Sequence, residues 1–182
     1  MIGGSVAVEW YAARAGGLVA FALLTVSILL GLGLAGRTTV PGWPRFAVED
    51  LHRFAGILAG CFVVLHVLLV VADGYVPFGL VDVLVPFATS YHPAASALGI
   101  VAAELLAALA VTNALRTRIG YRTWRRLHGL NLAVWLLALV HGLAIGTDRS
   151  TVGAAALYGA AAASVGGVGA WRLLWQRASA AA

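Results

Sequence analysis

The chain has 182 residues, of which 62% are hydrophobic and 10% charged, and its formal net charge is +5. Several apolar runs reach the roughly 20 residues that cross a hydrocarbon core of about 30 Å. These runs take up most of the chain and leave no alternation of strands and helices of the kind that builds a soluble nucleotide-binding domain. The composition therefore predicts an integral membrane protein, in which any flavin or nicotinamide chemistry comes from a partner.

Five apolar segments are predicted to cross the membrane as helices, in one transmembrane domain over residues 1–182. In chain order they are residues 15–36, 54–72, 94–115, 127–146 and 151–174. Between the second and third spans, the stretch from Phe78 to Thr89 is apolar but too short to cross. It predicts an interfacial or re-entrant helix that covers one mouth of the bundle. The predicted fold is an all-α bundle of five transmembrane helices with this short extra helix.

The arginines predict the orientation of the chain, which contains no lysine. Arg14 and Arg149 fall on one side of the predicted bundle. The other ten fall in the first loop, the third loop and the tail: Arg37, Arg45, Arg53, Arg116, Arg118, Arg122, Arg125, Arg126, Arg172 and Arg177. By the positive-inside rule these ten are cytoplasmic and the N-terminus lies outside a plasma membrane. The positive charge is thus a topology signal, and we expect no nucleic-acid partner.

Four of the five histidines form two pairs in the apolar segments: His52 with His66, and His128 with His141. Spans two and four run parallel, so His52 and His128 share a cytoplasmic level, while His66 and His141 share an outer level. At about 1.5 Å per residue, separations of 14 and 13 residues place the two levels about 20 Å apart. Two imidazoles that face each other across a bundle suit the axial positions of a haem iron, and two levels match two cofactors.

The second span presents both of its histidines on one face. Fourteen residues leave His52 and His66 only about 40° apart around an ideal helix. Gly56 lies on that face and, with Gly60, offers clearance for a flat macrocycle. The alternative is that this glycine-x-x-x-glycine pattern only lets two helices pack closely.

The fourth span fits less simply. Thirteen residues leave about 140° between His128 and His141 on an ideal helix, so both rings do not point the same way. Either the helix is tilted or locally irregular, or the two rings approach their cofactors from different sides. Gly129 and Gly142, each directly after a histidine, are the plausible places for an irregularity.

The doubled spacing, together with the stretch Tyr-Arg-Thr-Trp-Arg-Arg-Leu-His that ends at His128, resembles the ferric reductase-like transmembrane domain of ferric reductases and NADPH oxidases. The resemblance covers roughly residues 15–175. It implies two b-type haems, with His52 and His128 as axial ligands of the inner iron and His66 and His141 as those of the outer iron. It also implies electron flow across the membrane, from a cytoplasmic flavin reductase or quinol to an extracytoplasmic acceptor or redox protein. Because the chain lacks the flavin and NADPH domains of eukaryotic members, we expect an electron-transfer subunit.

Other polar residues receive provisional roles. Arg53, Arg125 and Arg126 lie close to the inner histidines and are candidate partners of haem propionates, or only determinants of topology. Glu104, in mid-membrane, is either a proton relay or a neutral, hydrogen-bonded acid that faces the bundle. His92, in the outer loop, is an interfacial residue or a contact for an electron acceptor or metal.

One alternative function belongs to a different class. In this alternative the chain is a non-redox protein, either a metal carrier or a haem-handling scaffold. Its histidines are then successive binding sites along a transport path. The spans contain only one mid-membrane carboxylate and no paired helix interruptions, which argues against a carrier. Four axial candidates at two depths favour haem that is retained.

Overall fold

The computed structural model describes residues 3–36, 42–73 and 76–180. Arg37, one of the arginines assigned to the cytoplasmic side, lies outside them. The described residues form helices and no strand, which confirms the predicted all-α fold. The helices are α1 (Gly3–Ala35), α2 (Arg45–Ala72), α3 (Leu80–Leu84), α4 (Pro93–Ala114), α5 (Arg116–Ile119), α6 (Tyr121–His128), α7 (Asn131–Ile145) and α8 (Val152–Ala180).

Five helical segments of the described chain are long and apolar enough to cross a membrane. They are Val8–Ala35, Arg45–Ala72, Pro93–Ala114, Tyr121–Ile145 and Val152–Leu174. Large apolar side chains such as Ile57, Leu68 and Val152 are 61% to 88% exposed. A helix that is apolar on its outer side as well as its inner side suits a lipid environment. The chain is therefore a multi-pass membrane protein, as its composition predicts.

The short helix predicted between the second and third spans is α3. The backbone N–H of Gly79 donates to Oδ2 of Asp82 at 2.9 Å, which satisfies a free donor at its start. Phe87, just beyond its end, has φ +68°, a left-handed conformation that does not continue a helix. The helix contacts both α2 and α4, so it lies across one end of the bundle.

The spans pack as two antiparallel pairs, α1 with α2 and α4 with α7, and α1 also contacts α7 and α8. The histidine-bearing helices α2 and α7 thus pack mainly on α1 and α4. The core between the pairs centres on Phe21, whose ring stacks on Trp135 at 6.0 Å between centroids and tilts against Tyr158 at 5.2 Å. This packing keeps α2 and α7 on opposite sides of a shared interior.

The fourth span is interrupted directly after His128. The N–H of Leu130 donates to the carbonyl of Leu127, and that of Leu132 to the carbonyl of Gly129, at 2.9 and 3.2 Å. These hydrogen bonds close three-residue turns, which are tighter than those of an α-helix. Each residue in such a turn rotates the chain about the helix axis by about 20° more than an α-helical residue does. The interruption therefore reduces the 140° mismatch between the two histidines of this span.

A buried hydrogen bond ties α7 to α1. The indole Nε1–H of Trp135 donates to Oγ1 of Thr25 at 2.9 Å, and the hydroxyl of Thr25 donates to the carbonyl of Phe21 at 2.8 Å. Thr25→Val keeps the shape but leaves the indole N–H without an acceptor. A buried unsatisfied donor costs about 1–3 kcal/mol.

We expect Thr25→Val to lower the midpoint of thermal unfolding in detergent by roughly 3 to 10 °C, on the scale for soluble chains of this size. Thr112→Val is the matched control, since the hydroxyl of Thr112 donates only to the carbonyl of Leu109 in its own helix. Equal midpoints for the two variants would contradict the prediction.

Candidate functional site: two pairs of facing histidines

The first pair, called the inner pair after its predicted cytoplasmic level, consists of His52 on α2 and His128 at the end of α6. Their ring centroids lie 5.9 Å apart with 79° between the planes. Two imidazoles on one metal ion place their centroids about 6 Å apart, because each metal–nitrogen bond is about 2 Å and each ring centre lies about 1 Å behind its nitrogen. The spacing of this pair therefore suits the coordination of one metal ion by both rings, in its two axial positions.

The other pair, His66 on α2 and His141 on α7, lines one cavity of about 260 Å³. The cavity lies between the two helix pairs, and residues of α1, α4 and α8 complete its walls. Phe78, Asp82 and Val83, in and beside α3, also line it. The short helix thus forms part of the wall of this site.

Three of the four rings are held by backbone carbonyls of a neighbouring helix. Nδ1 of His66 donates to the carbonyl of Ala13 at 2.7 Å, that of His52 to Ser27 at 2.9 Å, and that of His141 to Ala95 at 2.7 Å. A carbonyl only accepts, so Nδ1 carries the proton, and in a neutral ring Nε2 keeps its lone pair. This second-shell hydrogen bond is typical of histidines that bind a metal.

Each of these carbonyls is followed four residues later by a glycine that the ring covers. A Cβ at Gly17 would lie 3.1 Å from Nδ1 of His66, and one at Gly31 would lie 3.2 Å from Cε1 of His52. A Cβ at Gly99 would lie 2.6 Å from Cε1 of His141. The absence of a side chain lets each imidazole reach the helix backbone, and we call this arrangement a carbonyl–glycine cradle.

The two cradles on α1 repeat at the spacing of the histidines that they hold. Ala13 and Ser27 are 14 residues apart, as are His52 and His66. Because α1 and α2 are antiparallel, the carbonyl near the start of α1 meets the histidine near the end of α2. Gly17 and its two counterparts were not predicted from the sequence, although the 14-residue repeat of Gly17 and Gly31 matches the spacing of the two histidines on α2.

Within the described part of the chain, His128 has no such cradle. Its ring stacks on Trp124 of α6 at 5.0 Å between centroids and 27° between planes. The amide Nδ2 of Asn131 donates to the backbone carbonyl of His128 at 2.8 Å and lies 3.5 Å from its Nδ1. The four candidate ligands are therefore not equivalent.

Arg14 also belongs to the site, although the sequence did not indicate this. It lines the cavity of His66 and His141 and forms an ion pair with Asp148, beyond the end of α7. Its guanidinium carbon lies 5.8 Å from the ring of Trp10 and 5.6 Å from that of Tyr11. Its Nε is buried without a hydrogen-bond partner among the described residues. A buried donor of this kind is a place for an anion.

The arginines predicted beside the inner histidines lie at the exposed end of the bundle. Arg53 is 68% exposed and is 3.7 Å from the carboxylate of Asp50. Arg125 and Arg126, in the last turns of α6, are exposed as well. All three are free to reach an anion at the edge of the inner pair.

The remaining predicted residues make other contacts. Gly56 faces Oγ of Ser27, 3.4 Å from the position of a Cβ, which is the close helix contact of the packing alternative. Glu104 is exposed on α4. His92 is also exposed, at the N-terminal cap of α4 with φ +44°, and its ring lies edge-on to Tyr91. Of these three, none lines the cavity of the outer pair.

Fold and site together define a helical membrane protein whose interior contains two facing pairs of histidines. The sequence profile of the family described as "Ferric reductase like transmembrane component" matches residues 16–145. The chain belongs to this ferric reductase-like transmembrane family, whose domains are generally haem-binding and suggest electron transfer across a membrane. The comparisons with curated proteins and with solved structures gave no match.

Proposed function

We propose that the chain is a transmembrane dihaem b-type cytochrome of the plasma membrane, with its N-terminus outside and its C-terminus in the cytoplasm. His52 and His128 are the axial ligands of the inner iron, and His66 and His141 those of the outer iron. The observation that carries the proposal is the orientation of the rings: three of the four donate Nδ1–H to a carbonyl, which leaves Nε2 available to a metal.

Haem, when bound, supplies one-electron redox chemistry, and the chain supplies ligation, orientation and burial. The carbonyl–glycine cradles fix the angle of three rings and increase the basicity of their Nε2 atoms. Arg53, Arg125 and Arg126 neutralise propionates at the inner level, and Arg14 does so at the outer level. The apolar walls of the cavity restrict the access of water.

Electrons enter at the cytoplasmic level from a flavin reductase or from quinol and leave at the outer level, beside α3. The arginine asymmetry supports this polarity, because the arginine-rich ends of the spans lie at the level of His52 and His128. The acceptor is an extracytoplasmic redox protein or small oxidant that approaches the cavity beside α3. Asp82 of α3 is one of the residues that line the cavity.

Haem content tests the proposal. We expect the purified protein to contain two b haems per chain in a pyridine haemochromogen assay, and dithionite to reduce both. His66→Ala and His141→Ala each lose the outer haem and keep the inner one, because one ligand is removed from a buried site. His92→Ala, outside both pairs, keeps two and serves as the matched control. A colourless wild-type protein would overturn the proposal and favour a histidine-lined metal carrier.

The electron donor is tested with the loaded protein in liposomes. Reduction by a quinol, or by a flavin reductase with its nicotinamide, is followed at the haem absorption bands. Transfer to an oxidant enclosed in the opposite compartment distinguishes a conduit from a haem-handling scaffold. A scaffold would contain haem but give no transfer across the sealed bilayer.

A further inference from the structure

We propose that His128 is the replaceable ligand of the inner site, and that a small neutral ligand, such as imidazole or carbon monoxide, takes its place on the iron. His52, His66 and His141 stay fixed. The inference rests on the proposed function, because it concerns how strongly each histidine binds a haem iron.

The hydrogen-bond partner of Nδ1 separates His128 from the other three. A carbonyl that accepts from Nδ1–H increases the electron density on Nε2 and strengthens its bond to a metal. His52, His66 and His141 have such an acceptor at 2.7 to 2.9 Å. These bonds also hold each ring at a fixed angle, so a ring that leaves the metal returns to the same place.

The side chain next to Nδ1 of His128 is a donor. Nδ2 of Asn131 lies 3.5 Å from this nitrogen and donates to the carbonyl of His128 at 2.8 Å. That carbonyl can only accept, so the amide cannot be reversed without losing the shorter bond. Asn131 therefore offers no acceptor for Nδ1–H, and the imidazole of His128 lacks the hydrogen bond that strengthens metal binding by His52.

The helix that faces His128 explains why the cradle is missing. Gly99 serves His141 on α4, and the positions 13 and 14 residues further along that helix are Thr112 and Asn113. The hydroxyl of Thr112 bonds to the carbonyl of Leu109, and Oδ1 of Asn113 accepts from Nε1 of Trp124 at 3.3 Å. The corresponding positions of α4 thus carry side chains in place of the glycine of a cradle.

The backbone at His128 is also less constrained. His128 is the last residue of α6, directly before the Gly129–Leu130 interruption, and it is half-buried. Its ring is supported mainly by Trp124, which stacks on one side. Such a position allows the ring to swing from the iron without unfolding a membrane span.

The first test compares His52→Ala with His128→Ala. We expect His128→Ala to retain the inner haem on His52 with a high-spin electron paramagnetic resonance signal, and added imidazole to restore the low-spin signal. We expect His52→Ala to lose the inner haem. Equal retention or equal loss of the inner haem in the two variants would overturn the proposal. A wild type without two haems, measured in the same preparation, would instead overturn the proposed function.

The second test adds the missing acceptor and leaves all four ligands in place. Asn131→Asp puts a carboxylate beside Nδ1 of His128, whereas Asn131→Leu puts an apolar side chain there. We expect carbon monoxide to bind one of the two reduced haems of the wild type. We expect Asn131→Leu to bind carbon monoxide with the same affinity as the wild type. We expect about 10- to 100-fold weaker binding in Asn131→Asp, the range by which such partners change metal affinity. Unchanged carbon monoxide affinity in Asn131→Asp would overturn the proposal.

Discussion

Gly99→Ala is expected to remove the outer haem and leave the inner haem in place. The new Cβ would lie 2.6 Å from Cε1 and 2.7 Å from Nδ1 of His141. The ring cannot retreat while it keeps its 2.7 Å bond to the carbonyl of Ala95. Either this bond breaks or α4 and α7 move apart, and overpacking of this kind costs about 1–3 kcal/mol. In both cases the ring of His141 leaves its present position in the cavity that it shares with His66.

The expected loss of haem is larger where the new Cβ lies closer to the histidine ring. A Cβ at Gly17 or Gly31 lies 3.1 or 3.2 Å from its ring, so alanine there displaces the ring less than alanine at Gly99. Gly17→Ala weakens the outer haem, and Gly31→Ala weakens the inner one. Haem content, the two low-spin electron paramagnetic resonance signals and thermal unfolding measure the three variants side by side.

Gly159→Ala on α8 is the control for this series. Among the described residues, no atom outside its own helix segment lies within 4 Å of a Cβ at Gly159. Alanine also favours a helix by about 1 kcal/mol over glycine, so this variant keeps both haems without loss of stability. Two intact haems in Gly99→Ala would show that the cradle does not position His141.

The histidine levels could be predicted because they depend only on spacing and on the number of crossings. Two crossings between spans make α2 and α7 parallel, and helix rise then sets which histidines are level. The contact of His52 with His128 at 5.9 Å agrees with that prediction. The interruption at Gly129–Leu130 was only one of the alternatives that the sequence offered, because an irregularity at Gly129 or Gly142 and two rings that approach from different sides would each account for the mismatch of about 140°.

The cradles could not be identified before the helix pairs were known. Gly56 shares a face with His52 and His66, so it was the natural candidate for clearance. The glycines that meet the rings belong to other helices, and their register depends on how α1 packs on α2 and α4 on α7. The 14-residue repeat of Gly17 and Gly31 becomes informative only when α1 is known to pack on α2. Inter-helix register is a tertiary property that periodicity in one segment does not specify.

Arg14→Gln is expected to weaken retention of the outer haem by roughly 10- to 100-fold, because a hydrogen bond to a charged group contributes about 1.5–3 kcal/mol. The variant also lowers the midpoint potential of that haem, since loss of a nearby positive charge favours the oxidised iron. A redox titration of the purified protein measures the potential. Arg45→Gln, an exposed arginine paired with Glu49, is the control and leaves the outer haem unchanged.

Substitution of Asp148, the other residue of the ion pair, distinguishes two roles of Arg14. If the pair with Asp148 only fastens α1 to the end of α7, Asp148→Asn destabilises the outer site as much as Arg14→Gln. If Arg14 binds a propionate, Asp148→Asn frees the guanidinium, so the haem is held at least as tightly and its potential rises. Reconstitution with the dimethyl ester of haem, which lacks the carboxylate charges, completes the comparison. The loss caused by Arg14→Gln should then largely disappear, and a loss of full size with the ester would contradict a propionate contact.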